Sequence, residues 1–250
     1  MLASRTFRLD RSKMLGFLDE VAGMEGEAES LYLPRGTSPA RVEESLERLF
    51  GPAALPTGVT DTIVSSNTGA VLFWGMPGRY LVLPPFPVRE AYARDGYDIE
   101  PLRSLLSHDF LIALVLVRLG AYSIGVCQGT KVLDSKTGTG LVHARHKKGG
   151  SSQARFARHR EKQIDYFLGR VCGHVQEHIG PHAQSLDYLV YGGARSTILS
   201  LRKRCPFLGQ FEDRVLRTLL DIPEPRRAVL DKALNDVWST TILELREDAD

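Results

Sequence analysis

The sequence has few cysteines and no long apolar run. Its three cysteines, Cys127, Cys172 and Cys205, are isolated, odd in number and never spaced as Cys-x-x-Cys. This pattern argues against a disulfide framework or a thiolate metal site, so we expect buried, inert thiols. The longest apolar run, Phe110 to Val117, is too short to span a bilayer, and the N-terminus has no apolar secretion signal. We therefore expect a cytoplasmic protein without a membrane partner.

The formal net charge is also small, at +2, but the basic residues are unevenly distributed along the chain. Between His143 and Gln163 there is a single acid, Glu161, against seven basic residues: Arg145, Lys147, Lys148, Arg155, Arg158, Arg160 and Lys162. A local positive field of this kind attracts polyanions such as nucleic acid. A solvated charged face is an equally common cause of such a run.

Two glycines, two serines and a glutamine interrupt the basic stretch at residues 149–153, which we call the GGSSQ segment. A helix start needs at most one glycine and one capping residue. The additional glycines raise the conformational entropy that is lost on folding, and the fold alone does not require them. A helix is predicted directly after it, with Arg155, Arg158 and Lys162 on one face. Its apolar face comprises Phe156, Ala157, Ile164, Phe167, Leu168, Val171, Val175 and Ile179.

The remaining pattern predicts an α/β protein with two domains. Residues 1–106 are predicted to combine helices with strands that are joined by turn residues. One of the predicted strands is "DTIVSS". The branched-aliphatic run after residue 107 predicts a buried strand that opens a second sheet. We expect this second domain, residues 107–250, to be a mixed sheet with flanking helices. It includes strands at Val215 to Leu220 and at Ile242 to Leu245.

Other glycine and histidine patterns give weaker signals. "DSKTGTG" and "YGGARST" lack the spacing of phosphate-binding loops, so we interpret both as turns. His143-x-x-His146 has neither a third ligand nor a carboxylate nearby, which favours a polar or RNA-facing pair over a metal site. The GGSSQ segment also departs from the GxSxG elbow of serine hydrolases. We expect no metal and no cofactor.

The stretch "KKGGSSQARFARHREKQIDYFLGRV" resembles a segment of archaeal and eukaryotic class 1 peptide-chain release factors, in which a GGQ tripeptide precedes a helix. The similarity extends to residues 100–135, which resemble the start of the middle domain, and to residues 67–88, which resemble part of the N-terminal domain. Two serines separate the glycines from Gln153. This GGxxQ form resembles the release-factor-like branch that liberates nascent chains from obstructed large ribosomal subunits during ribosome quality control.

The resemblance implies a fold and an activity. The second domain would be a release-factor middle domain with an RNase H-like motif, and the first would resemble the release-factor N-domain. The activity would be ribosome-dependent hydrolysis of peptidyl-tRNA, with the large ribosomal subunit and ribosomal RNA as partners. Expected catalytic residues are Gly149, Gly150, Ser151, Ser152 and Gln153. Expected RNA-binding residues are Arg145, His146, Lys147, Lys148, Arg155, Arg158 and Lys162.

Release is expected to be independent of the codon. The sequence contains neither the Asn-Ile-Lys-Ser nor the Tyr-x-Cys-x-x-x-Phe motif by which class 1 factors read stop codons. Little chain follows Leu245, so no GTPase partner is expected. Two alternatives stay open: a non-catalytic ribosome or RNA-binding rescue factor, and a nuclease that cleaves the tRNA 3' end. Arg160 falls on the apolar face by helical angle, so it either snorkels or braces the loop.

Overall fold

The computed structural model describes residues 2–50, 58–143 and 153–247. The chain divides into two compact units, one formed by Met1–His108 with Asn235–Asp250 and the other by Asp109–Leu234. Each unit combines helices with a sheet, so the expected α/β class is confirmed. The observed division at Asp109 lies two residues from the expected start of the second domain.

A six-stranded antiparallel sheet organises the first unit. Its strands are β1 (Leu2–Leu9), β2 (Ala28–Leu33), β3 (Ala70–Gly75), β4 (Arg79–Leu83), β5 (Tyr92–Asp95) and β10 (Thr240–Glu247). They lie in the order β1-β10-β4-β3-β2-β5. The helices of this unit are α1 (Arg11–Ala22), α2 (Pro39–Phe50), α3 (Val59–Ser65) and α4 (Glu100–Ser107).

Helix α1 shows how the sequence specifies this unit. The Asp10 carboxylate caps the helix by accepting a hydrogen bond from the backbone N–H of Lys13 at 2.9 Å, and this bond lowers the pKa of Asp10. Met14, Leu18 and Val21 follow at helical spacing and are fully buried. The spacing of the apolar residues in the sequence thus agrees with the observed helix.

The strand expected at "DTIVSS" is wrong, because these residues belong to helix α3. Val59 and Ile63 lie four residues apart and are both buried, so they share one helical face. Their β-branched side chains favour a strand locally, but the packing of this face decides the local structure.

The placement of the C-terminal strand also differs from the expectation. Strand β10 pairs with β1 and β4 of the first unit, so residues 235–250 do not belong to the second unit as the 107–250 assignment expected. Ile242 and Leu245 are buried in this sheet. Their local pattern predicts a strand correctly, but it does not specify the sheet to which the strand is added, since pairing partners are remote in sequence.

The second unit contains a four-stranded mixed sheet. Its strands are β6 (Leu111–Arg118), β7 (Ala121–Gln128), β8 (Lys131–Thr139) and β9 (Tyr188–Gly193), in the order β8-β7-β6-β9. Strands β6 and β9 are parallel, and the other pairs are antiparallel. Its helices are α5 (Gln153–Ile179), α6 (Arg195–Arg204) and α7 (Arg227–Val237), the last of which continues into the first unit, and 3₁₀ segments cover Gly180–His182 and Pro206–Arg214.

Two local expectations in this unit are corrected. "DSKTGTG" is not a turn, since residues 134–139 lie within β8 and pair with β7. The strand expected from Val215 to Leu220 is reduced to two isolated bridges, Leu189 with Val215 and Gly192 with Leu220. No helix in the described ranges is long and apolar enough to cross a membrane.

The expectation for the cysteines is wrong for two of the three. Cys172 on α5 and Cys205 directly after α6 form a disulfide, with their Cα atoms 5.4 Å apart. The pairing depends on the contact between α5 and α6, which sequence spacing does not reveal. Cys127 is a buried free thiol as expected, and burial raises its pKa to about 12.

Candidate functional site

The structure describes the surroundings of the candidate loop. Eight of the expected site residues lie outside the described residues: Arg145, His146, Lys147, Lys148, Gly149, Gly150, Ser151 and Ser152. Gln153 is the first residue of α5, and its backbone but not its side chain is described. The described chain ends at His143 on one side of the loop and resumes at Gln153 on the other.

The residue before the loop is bonded to the helix after it. The Arg160 guanidinium donates from Nε to the backbone carbonyl of His143 at 2.9 Å. The backbone N–H of His143 donates to the Gln163 side-chain oxygen at 3.2 Å. We call these two bonds the clamp. Of the two roles expected for Arg160, this geometry corresponds to bracing the loop.

The first turns of α5 lie outside the hydrophobic core. No side chain from residue 155 to residue 163 is buried, and we call this stretch the arm. The expectation that Phe156 and Ala157 belong to the buried face is wrong, because Phe156 is 56% exposed and Ala157 is exposed as well. Helical periodicity gives the direction of a face, whereas the extent of the partner surface decides where its burial begins. Here full burial begins at Phe167.

Three cations on the arm are exposed. Arg155, Arg158 and Lys162 are exposed, as predicted, and none of them forms an ion pair with any residue that the structure describes. Two cations of α6 differ in this respect, since Arg202 pairs with Glu212 and Arg204 with Asp165. With Glu161 as its single acid against Arg155, Arg158, Arg160 and Lys162, the arm carries a net positive charge that attracts polyanions.

The rest of α5 anchors the arm to the second unit. Phe167, Leu168, Val171, Val175 and Ile179 are buried in the core beneath the helix. The disulfide between Cys172 and Cys205 and the ion pair between Asp165 and Arg204 connect α5 to α6. A helix with this much buried surface holds its exposed end in a defined direction relative to the sheet.

The glycines of "YGGARST" have a packing role. Gly193 ends β9 with φ at +120°, and a Cβ on it would lie 2.0 Å from the Val117 carbonyl oxygen. Only glycine fits this close approach, after which α6 begins at Arg195. The expected turn is reduced to Ala194, the one residue between β9 and α6, and a phosphate site is not needed to explain these glycines.

Sequence analysis missed a cluster of polar residues near the C-terminal end of α5. His174 Nδ1 lies 3.1 Å from a Glu177 carboxylate oxygen, and His178 Nε2 lies 3.9 Å from the same oxygen. His178 Nδ1 is bonded to the Asp134 carboxylate on β8 at 2.6 Å, and this bond lowers the pKa of Asp134. The bond with His174 likewise lowers the pKa of Glu177. The spacing His-x-x-Glu-His in "HVQEH" is the signal that would have found the cluster.

Comparison with known families identifies the second unit. The family model described as Actinobacteria/chloroflexi VLRF1 release factor, acVLRF1, matches residues 111–243, which is more than half of the chain. The chain belongs to this release factor family. The matched residues include the arm, the clamp and the GGSSQ segment. The expected relation to the class 1 release factor superfamily is thereby confirmed.

Curated archaeal proteins show the same relation. The chain is 26% identical to the peptide chain release factor subunit 1 of Archaeoglobus fulgidus over 113 residues, which are 45% of this chain and 28% of that protein. It is 30% identical to the protein of the same name from Methanosphaera stadtmanae over 141 residues, which are 52% of this chain and 34% of that protein. The matched part is about a third of the length of these relatives.

The solved structures that are matched are more distant in sequence. The archaeal translation termination factor aRF1 is matched with a TM-score of 0.39 and 17% identity, over 92% of this chain and 73% of that chain. Dom34 of S. cerevisiae is matched with a TM-score of 0.28 and 7% identity, over 94% of this chain and 66% of that chain.

Proposed function

We propose that this protein is a ribosome-dependent peptidyl-tRNA hydrolase that uses the GGSSQ segment to release nascent chains from stalled ribosomes or large subunits, independently of the codon. Membership of a release factor family supports this class of substrate. The structural observation that carries the proposal is the arm itself, an exposed stretch of α5 whose cations Arg155, Arg158 and Lys162 form no ion pair with any described residue. Helix α5 begins at Gln153 and is clamped to the residue before the loop.

The residues of the GGSSQ segment suit ester hydrolysis on an RNA surface. Water must attack the ester carbonyl, and the oxyanion that forms must be stabilised. The Gln153 carboxamide both donates and accepts hydrogen bonds and does not titrate, so it can orient the water and stabilise the developing charge. Gly149 and Gly150 permit a close approach that a Cβ would prevent. Ser151 and Ser152 add hydroxyls next to Gln153.

The remaining chemistry would come from the ribosome and the tRNA. In this proposal the terminal ribose of the tRNA and the ribosomal RNA complete the catalytic centre, and this protein supplies the water-positioning group. The cations of the arm, Arg155, Arg158 and Lys162, would contact RNA phosphates. Such contacts fix orientation without reading sequence. Arg145, His146, Lys147 and Lys148 would extend the same contact to the other side of the loop.

Peptide release from defined ribosomal complexes tests the proposal. Purified protein is added to three complexes with the same labelled peptidyl-tRNA: a ribosome stalled at a sense codon, a ribosome at a stop codon, and an isolated large subunit. We expect free peptide and a tRNA with an intact 3' end, without preference for the stop codon.

Other outcomes of this experiment would contradict the proposal in distinguishable ways. A shortened tRNA would identify a nuclease. Binding to the subunits without release of peptide would identify a non-catalytic rescue factor. Strong preference for the stop codon would indicate ordinary termination.

A further inference from the structure

The polar cluster on α5 has a spacing suited to metal binding. His174, Glu177 and His178 occupy positions i, i+3 and i+4, so their side chains emerge on one face of the helix. One donor atom from each residue lies within 4.8 Å of the other two. The set of two imidazoles and one carboxylate occurs in zinc centres that keep a position open for water.

Residues outside the cluster hold both imidazoles in place. The His174 ring is stacked on Tyr122 of β7, with ring centroids 5.5 Å apart and planes inclined by 21°. The His178 ring is held by the 2.6 Å bond between Nδ1 and Asp134. An ionised carboxylate only accepts hydrogen bonds, so His178 Nδ1 donates to Asp134 and Nε2 is the ring nitrogen left to ligate a metal. Nε2 is also the nitrogen nearest to Glu177.

We propose that this cluster binds Zn²⁺. The ligands are His174 Nδ1, the Glu177 carboxylate and His178 Nε2, and water completes the coordination. Donor atoms of a tetrahedral zinc site with bonds of about 2.0–2.1 Å lie about 3.4 Å apart. The observed separations from the Glu177 oxygen, 3.1 Å and 3.9 Å, lie on either side of this value. A metal ion at His174 Nδ1 requires the lone pair of that nitrogen, so the neutral ring carries its proton on Nε2 when the ion is bound.

Burial and charge of the surroundings fit a cation. The imidazoles of His174 and His178 are 25% and 15% exposed, whereas Glu177 is 66% exposed, so an ion has a route to it from solvent. Asp134 and Glu177 contribute two carboxylates to this surface; Lys136 lies near Glu177 and His182 near Asp134. Asp134 acts as a positioning residue, because a carboxylate that holds a metal-binding imidazole fixes its tautomer and raises its basicity.

The site is separate from the proposed hydrolytic loop. His174 lies 21 residues after Gln153 on the same helix, a distance of about 30 Å at the helical rise of about 1.5 Å per residue. The metal site therefore does not rest on the proposed function, and its test needs no ribosome.

Calorimetric titration of the full chain tests the proposal. Tag-free protein, freed of metal with a chelator, is titrated with Zn²⁺, and binding of Co²⁺ is followed by visible absorption as a second readout. The variants are His174→Gln, His178→Gln and Asp134→Asn. The matched control is His182→Gln, because His182 lies near Asp134 but outside the cluster. Circular dichroism of each metal-free variant checks that it is folded.

We expect the native chain and the His182 variant to bind one equivalent of Zn²⁺ with the same affinity. Loss of the Asp134 carboxylate should weaken binding about 10–100-fold, and loss of either ligand imidazole should weaken it by more than that. The absorption of bound Co²⁺ should disappear in both imidazole variants. Equal affinity for Zn²⁺ in the native chain and the His178 variant, or absence of binding to the native chain, would overturn the proposal.

Discussion

Arg160 and His143 are joined by a hydrogen bond of 2.9 Å from the guanidinium Nε to the backbone carbonyl, although 17 residues separate them in sequence. The intervening residues contain the whole basic loop and the GGSSQ segment. The second bond, from the His143 N–H to Gln163, involves the same short stretch of backbone. Arg160 and Gln163 of the arm therefore fix His143, the residue before the loop, relative to α5, the helix that follows the loop.

Substitution of Arg160 by methionine tests whether the clamp positions the loop. Arg160→Met keeps the aliphatic part of the side chain and removes the donor to His143. A hydrogen bond of this kind contributes about 1 kcal/mol, so we expect peptide release to slow about five-fold. Affinity for the large subunit should stay within two-fold of the native value, a margin of about 0.4 kcal/mol.

The matched control for this variant is Arg170→Met, because Arg170 is an exposed arginine on the same helix, outside the arm. Hydrogen exchange at the His143 amide gives a readout independent of activity, and it should accelerate in Arg160→Met alone. If the two variants release peptide equally fast, the clamp has no positioning role.

Charge reversal on the arm tests its contact with RNA. The double variant Arg155→Glu/Arg158→Glu should bind large subunits more weakly, and its affinity should depend less on salt. Each lost phosphate contact should lower the log–log salt slope by about 0.7–0.9. Lys232→Glu is the control, since Lys232 is an exposed lysine on α7 in the same unit. An unchanged slope in the double variant would mean that the arm faces solvent on the ribosome.

Thiol titration tests the disulfide between Cys172 and Cys205. Denatured but unreduced protein should react at one thiol per chain, Cys127, and reduced protein at all three cysteines. The bond closes a loop with a sequence separation of 33 residues, so replacing both cysteines with serine should lower the free energy of unfolding by about 3–4 kcal/mol. Reaction at three thiols before reduction would show that the bond is absent in the purified protein.

Two glycine-to-alanine substitutions with opposite expected effects on the free energy of unfolding test the packing of the second unit. Gly193→Ala places a Cβ against the Val117 carbonyl at positive φ and should lower the free energy of unfolding by about 3 kcal/mol or more. Gly169→Ala, at an open position of α5, should raise it by about 0.5–1 kcal/mol. Chemical denaturation measures both values. Equal stability of the two variants would contradict the described geometry around β9.

Local patterns in the sequence were sufficient to predict much of this structure. Helix α1 buries the face that its periodicity indicates, and the continuous apolar run of β6 forms a buried strand as expected. The exposed positions of Arg155, Arg158 and Lys162 follow from the same periodicity, because they lie opposite the buried side chains of α5. These features depend on residues close together in the chain.

The features that sequence analysis missed depend on contacts between remote residues. Strand β10 pairs with β1 and β4, and Cys172 meets Cys205 only because α5 packs on α6. Phe156 has the right helical angle for burial, but it lies beyond the surface against which the helix packs. The clamp and the cluster around His178 likewise join α5 to residues that are 17 or more positions away in sequence.

The most direct test of the proposed hydrolysis is peptide release by Gln153→Ala. The matched control is Gln176→Ala, since Gln176 is an exposed glutamine on the same helix. Both variants are compared with the native chain for binding to large subunits and for release of labelled peptide from them. Removal of one water-orienting or oxyanion-stabilising group should slow release about 10²–10³-fold in Gln153→Ala while binding stays unchanged, and the control should behave as the native chain. Release by Gln153→Ala at the native rate would contradict the central claim.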